Sequence, residues 1–87
     1  MKGEVPEDDL LLLQSTLENA GVEIRSETYG GEGGLVRIGD RHIVFVPVHA
    51  PGAHVRALYL DSIRKLMASL THVPPRVRQL LGEEDWV

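Results

Sequence analysis

The chain has 87 residues, an apolar fraction of 43% and a net charge of -4 at pH 7. Folding a chain of this length removes only about 60 to 65% of its accessible surface from water, so we expect one domain over residues 1–87 with a thin hydrophobic core. The absence of cysteine excludes disulfides and thiolate metal sites, and the acidic charge argues against a nucleic-acid partner.

The first predicted element is a helix from about Pro6 to Ala20. Proline suits the first helical position, acidic residues 7–9 favour the positive end of the helix dipole, and Gly21 takes the place of a C-terminal cap. Apolar residues recur at spacings of three and four, and neighbouring leucines make the apolar stripe wider than one sheet face covers. We therefore expect a partner surface over Leu10, Leu11 and Leu12.

Residues 22–29 alternate between apolar and charged side chains, with Val22 and Ile24 on one side. This alternation predicts a strand with one face in water, at the edge of a sheet. Tyr29, at the end of that strand, is a candidate contact residue.

A hairpin is predicted after the glycine-rich segment 30–34. Leu35 to Ile38 and His42 to Val48 form two antiparallel strands around the turn pair Gly39-Asp40. Within the second strand, Ile43 to Val46 is apolar on both sides, which predicts the middle of a small sheet.

Two helices complete the predicted α+β fold. The first follows Pro51, and the second starts at Pro74-Pro75 and ends at Gly82, before an acidic tail of residues 83–87. We expect a three-stranded antiparallel sheet covered by helices in the order α-β-β-β-α-α. The longest aliphatic block, Leu10 to Leu13, is too short to span a bilayer and follows acidic residues, so we expect a cytoplasmic protein without a membrane segment.

Possible sites for chemistry are few. The loop Gly30 to Gly34 resembles a phosphate loop in its glycine content, but it leads into a strand and carries Glu32 rather than a lysine. His49 and His54 form the best pair of metal ligands, whereas zinc takes three or four. We predict no catalytic residue, cofactor or metal. An enzyme that uses this loop with the two histidines to bind a small ligand or a metal remains an alternative hypothesis.

Basic residues gather in the C-terminal third, among them Arg76 and Arg78. A nucleic-acid interface through these arginines is a weaker alternative, because base stacking needs exposed aromatic side chains and Tyr59 falls on a buried helix face.

The order of a helix, the segment Gly21 to Arg25, a glycine-bearing loop, a hairpin and a helix after a proline resembles the N-terminal half of the ImmA/IrrE-type metallopeptidases, over about residues 8–70. In that family the last helix carries H-E-x-x-H, whose histidines bind zinc and whose glutamate activates water. The matching helix has Asp61, Ser62 and Lys65 at those positions. The resemblance therefore implies a shared scaffold without the peptidase site.

These observations favour a non-catalytic interaction module that self-associates as a homodimer, through the first helix, the exposed sheet edge or both. A thin core, a wide leucine stripe and an unprotected strand edge all benefit from a protein partner. The candidate contact residues are Leu10, Leu11, Leu12, Tyr29, Arg76 and Arg78.

Overall fold

A computed structural model describes residues 7–28 and 31–84. It confirms an α+β fold of three helices and three strands in these residues. None of the helices in the described part is long and apolar enough to cross a membrane. In chain order the elements are α1 (Glu7–Asn19), β1 (Glu23–Glu27), β2 (Gly34–Ile38), β3 (Arg41–Pro47), α2 (Gly52–Leu66), a 3-10 turn (Met67–Ser69) and α3 (Pro75–Glu84).

The strand order is β1-β3-β2, so the most apolar strand occupies the centre of the sheet, as predicted. The pairing of β2 with β3 is antiparallel, also as predicted. However, β1 runs parallel to β3, with Glu23 opposite Ile43. The prediction of an antiparallel sheet is therefore wrong, and the sheet is mixed. Alternation assigns the two faces of an edge strand, but it carries no information on the direction of that strand.

The connection from β1 to β2 passes the C-terminal end of β3 and requires glycine there. Gly33 has φ +81°, and a Cβ at this position would lie 2.2 Å from the carbonyl oxygen of Phe45 and 2.9 Å from Cδ of Pro47. On the helix side, Nε2 of His54 donates a hydrogen bond of 2.7 Å to the carbonyl oxygen of Glu32. The described part of the glycine segment thus crosses close to β3 and is held by α2.

The turn between α1 and β1 ends the helix as the sequence predicts. Gly21 has φ +86°, its N–H donates to the carbonyl of Glu18, and the N–H of Val22 donates to the carbonyl of Leu17. This pair of bonds is the Schellman arrangement, in which glycine avoids the cost of a left-handed backbone. Leu17 and Val22 are both buried in the core, so the turn also directs the chain into β1.

The helices lie on one face of the sheet, where α1 packs on β1 and α2 packs on β2 and β3. Since α1 also contacts α2, its wide stripe has two surfaces to pack on. Leu10 and Leu12 pack against the core, whereas Leu11 is 55% exposed. The buried core consists of Leu13, Leu17, Val22, Val44, Val46, Tyr59, Leu60, Ile63, Leu66, Val73, Val77, Leu80 and Leu81.

The C-terminal helices α2 and α3 pack against each other. Leu60 of α2 is fully buried, because α2 contacts α1 and α3 as well as the sheet. The helix α3 continues through Gly82 to Glu84, so the prediction that Gly82 ends it is wrong. A glycine in the last turns costs about 1 kcal/mol of helix stability, which tertiary packing offsets. Of the predicted acidic tail, residues 85–87 lie outside the described residues.

Candidate interaction surface

The strand register divides the side chains of the sheet between two faces. Ile24, Val44 and Leu35 form one row across the sheet, and all three pack into the helix-side core. Adjacent residues in a strand point to opposite faces. The outer face, which turns away from the helices, therefore carries Glu23, Arg25 and Glu27 of β1, Arg41, Ile43, Phe45 and Pro47 of β3, and Gly34, Val36 and Ile38 of β2.

Ile43 lies in the middle of the outer face, in register with Glu23 on β1 and Val36 on β2. It is only 3% exposed, yet among the buried hydrophobic residues in the described part it alone is not part of the helix-side cluster. Its neighbours on the outer face therefore bury it. The outer face is therefore a second, partly apolar surface, and none of the described helices packs against it.

The β1 half of the outer face is charged. The carboxylate of Glu23 accepts hydrogen bonds from Arg25 on the same strand and from Arg41 on β3. These two guanidinium groups, that of Arg25 first, lower the pKa of the Glu23 carboxyl below its usual value. Long arginine side chains keep their charge in water and exclude water from aliphatic neighbours, so this cluster also shields Ile43.

The β2 half of the outer face is apolar. Val36 and Ile38 are 41% and 57% exposed, and they stand two residues apart on the same face of the edge strand. The other exposed large hydrophobic residues in the described part lie in different segments: Leu11 on α1, Val48 in the turn after β3 and Met67 in the 3-10 turn. Scattered hydrophobic residues are normal on a protein surface, but a contiguous patch indicates an interaction site.

Of the predicted contact residues on α1, only Leu11 projects from the surface, since Leu10 and Leu12 pack against the core. Tyr29 lies outside the described residues. Of these predicted contact residues, α1 therefore exposes a single leucine, whereas β2 exposes two apolar residues on the same face.

The predicted arginines lie on α3 and have different surroundings. Arg76 donates two hydrogen bonds, of 3.1 and 2.9 Å, to the carboxylate of Asp9 on α1, whereas Arg78 is exposed. The Arg76 guanidinium holds the pKa of Asp9 below its ordinary value. Tyr59, the aromatic residue on α2, is buried. The structure therefore gives Arg76 a role in joining α3 to α1, and the nucleic-acid hypothesis stays a prediction.

The structure brings His54, one of the two predicted histidines, to the glycine loop. His54 contacts the loop through Nε2, which must carry a hydrogen because its partner, the Glu32 oxygen, is a carbonyl. His49 is exposed in the turn after β3. Within residues 7–28 and 31–84, no three His, Asp or Glu side chains are grouped as metal ligands would be. The metal-dependent or ligand-binding enzyme remains an untested hypothesis.

A groove of about 230 Å³ lies between α1 and the segment that precedes α3. It is smaller than most small-molecule sites, which are about 300 to 1,000 Å³. Two of its hydroxyl groups, on Ser15 and Thr16, already donate to the carbonyl of Leu12. The lining residues are Leu12, Ser15, Thr16, Asn19, Ala20, Leu70, Thr71, His72 and Pro74.

The α2 positions that match the H-E-x-x-H motif carry no site for zinc. Asp61 forms an exposed ion pair of 3.0 Å with Lys65, and Ser62 is buried and donates to the carbonyl of Leu58. No protein-family model, curated protein or solved structure matches the chain. The resemblance to the ImmA/IrrE-type metallopeptidases therefore stays a prediction.

Sequence reasoning did not name Val36 and Ile38 as contact residues. A signal for them is present in Leu35-Val36-Arg37-Ile38, where apolar residues occupy both faces of a short strand. In a strand that ends up at a sheet edge, with helices on one face, that pattern leaves apolar side chains on the other face.

Proposed function

We propose that the protein is a non-catalytic protein-interaction module that self-associates through the β2 side of its sheet. The observation that carries the proposal is the pair Val36 and Ile38, exposed side by side on the outer face of an edge strand. An edge strand with exposed apolar residues is a template for another chain.

The distribution of charge on the outer face supports this assignment. Charged side chains of β1, together with Arg41 of β3, form one part of it, and the remaining side chains of β3 and those of β2 form an apolar part. Protein interfaces commonly have an apolar centre and a polar rim. Two copies that meet at β2 would place their apolar halves together and their charged halves at the periphery.

Self-association would add buried apolar area, of which a small domain has little. An 87-residue chain buries a modest share of its surface on folding, and association buries more apolar area without adding residues. A symmetric dimer is the commonest arrangement for such a protein.

Sedimentation velocity from low to high micromolar concentration tests the proposal, with two matched variants. Val36→Lys places a charge on the β2 edge, and Leu11→Lys places the same charge on the exposed leucine of α1. We expect the wild type and Leu11→Lys to associate alike, while Val36→Lys sediments as a monomer with an unchanged circular dichroism spectrum.

Two outcomes would contradict the proposal. A wild type that stays monomeric at high micromolar concentration removes self-association altogether. Dissociation by Leu11→Lys but not by Val36→Lys would move the contact from the sheet to α1.

A further inference from the structure

We propose that two copies join edge to edge through β2, antiparallel, with Val36 on the two-fold axis. The product is a continuous sheet of order β1-β3-β2-β2-β3-β1, formed by the three strands of each copy. This inference rests on the proposed function and specifies its partner as a second copy in one register.

On one side of β2 no other described strand pairs with the backbone, so its groups are available for this pairing. The two-residue turn Gly39-Asp40 closes the hairpin between Ile38 and Arg41. Gly39 has φ +61° whereas Asp40 has a negative φ, as in a type II′ turn, whose flanking residues exchange hydrogen bonds. Since hydrogen-bonding direction alternates along an antiparallel pair, the N–H and C=O groups of Leu35 and Arg37 point away from β3.

One register pairs all five residues of β2. With Val36 opposite its own copy, Leu35 lies opposite Arg37, and Ile38 lies opposite Gly34 of the second copy. A register centred on Arg37 would bring two guanidinium groups together, which is unfavourable. A register centred on Leu35 would place the apolar Ile38 opposite Glu32. Charge and length therefore favour the register centred on Val36.

The outer face is shaped for this register. A Cβ at Gly34 would meet no heavy atom within 4 Å, so the missing side chain leaves open space beside Phe45, its partner on β3. Ile38 of the second copy, the most exposed of the large hydrophobic residues described, at 57%, enters that space. The contact buries an isoleucine against an aromatic ring on both sides of the axis.

Arg37, the charged residue of β2, does not block the pairing of this edge with a second copy. Nε of Arg37 donates a hydrogen bond of 2.9 Å to the carbonyl oxygen of Gly39. This bond directs the side chain along the strand toward the hairpin turn. A charge in that position protects the edge less than one that projects across it.

Cysteine crosslinking tests the register, because the wild type contains no cysteine. Val36 would face its own copy as a non-hydrogen-bonded pair with Cα atoms about 4.5 Å apart, a separation that suits a disulfide. The two copies of Ile38 would be about 13 Å apart along the strands. We expect Val36→Cys to form a covalent dimer under mild oxidation at least about ten times faster than Ile38→Cys or Ser26→Cys, since disulfide geometry is specific.

The outcomes separate this inference from the proposed function. If the wild type associates but Val36→Cys crosslinks no faster than Ser26→Cys on β1, the register is wrong and self-association stands. If the wild type is monomeric, the proposed function fails as well. Should the cysteine variant not fold, hydrogen exchange on the wild type decides the matter. The amides of Leu35 and Arg37 should be protected in the associated form, and rapid exchange of both would overturn the pairing.

Discussion

The two edge strands of the sheet have the same length but differ in what they present to a neighbour. On β1, the outer-face positions are Glu23, Arg25 and Glu27, all charged. On β2, the corresponding positions hold a glycine and two exposed aliphatic residues. Charged side chains are a common protection of sheet edges against unwanted pairing. One edge of this sheet is therefore protected by its sequence, and the other is not.

The two edges also differ in the contacts that form when each strand pairs with its own copy. Full antiparallel pairing of β1 with its copy would place Arg25 opposite itself and Glu23 opposite Glu27, and like charges directly opposite each other are destabilising. Full pairing of β2 creates no like-charge contact on the outer face. In this sheet the charge order along each edge strand, rather than its length, therefore distinguishes the edge that repels its own copy from the edge that does not.

Gly33→Ala should have the largest effect, because it displaces the whole β2 edge. A Cβ would overlap the Phe45 carbonyl oxygen at 2.2 Å, at a backbone φ of +81°. We expect the free energy of unfolding to fall by about 3 kcal/mol, from backbone strain and local displacement together, and association to weaken with it. Urea denaturation measures the first effect and sedimentation the second.

Gly31→Ala is the matched control for this substitution. Its φ is also positive, at +118°, but nothing lies within 4 Å of a Cβ there. Gly31→Ala therefore has the free-energy cost of a side chain at positive φ, but no steric overlap with a neighbouring atom. Equal destabilisation by the two variants would show that the close approach to β3 is unimportant.

Ile38→Ala should weaken association by about 10- to 30-fold, as about 1.5 to 2 kcal/mol of apolar burial is lost from two symmetric contacts. Val48→Ala truncates a side chain of comparable exposure, in the turn after β3, and should leave the dissociation constant unchanged. Sedimentation equilibrium measures both. Equal weakening by the two variants would place the contact elsewhere or make it non-specific.

Asp9→Asn should reduce stability without affecting association, because it acts on the helix layer above β1. It removes the charge that receives two hydrogen bonds from Arg76. We expect a loss of about 1 kcal/mol, toward the lower end for a charged hydrogen bond since Arg76 is partly exposed. The control Asp61→Asn breaks an exposed pair with Lys65 and should cost about 0.3 to 0.5 kcal/mol.

The Asp9 pair also predicts a dependence on acid. Because the folded-state pKa of Asp9 is lowered, its contribution is complete above the unfolded pKa of about 4 and is lost as the pH falls through the folded-state value. Urea titrations at neutral and acidic pH should show a smaller difference between wild type and Asp9→Asn in acid. A difference that does not change with pH would contradict the assignment.

Parts of the fold that depend on neighbouring residues could be predicted from the sequence. The hairpin follows from Gly39-Asp40 between two apolar segments, and the central strand follows from apolar residues on both of its faces. The direction of β1 could not be predicted, because it depends on the pairing of β1 with β3 rather than with β2. That pairing joins residues distant in sequence, such as Glu23 and Ile43, and no local pattern encodes it.

The candidate surface was predictable to a smaller degree. The sequence marks an unprotected edge and a wide leucine stripe, but not which of them is exposed. Tertiary packing decides this, since contacts of α1 with α2 as well as β1 cover three of its four adjacent leucines and leave only Leu11 exposed. The exposure of Val36 and Ile38 depends in turn on the placement of the described helices on one face of the sheet.

Glu23→Gln should have the smallest effect and tests how β1 is protected. The substitution removes the carboxylate between Arg25 and Arg41 and leaves positive charge on this half of the outer face. Because these groups are at the surface, we expect no resolvable change in urea denaturation. Pairing through β1 should remain blocked, since Arg25 would still lie opposite its own copy. Larger species than the wild type forms, seen by sedimentation, would show that the single carboxylate of Glu23 protects this edge.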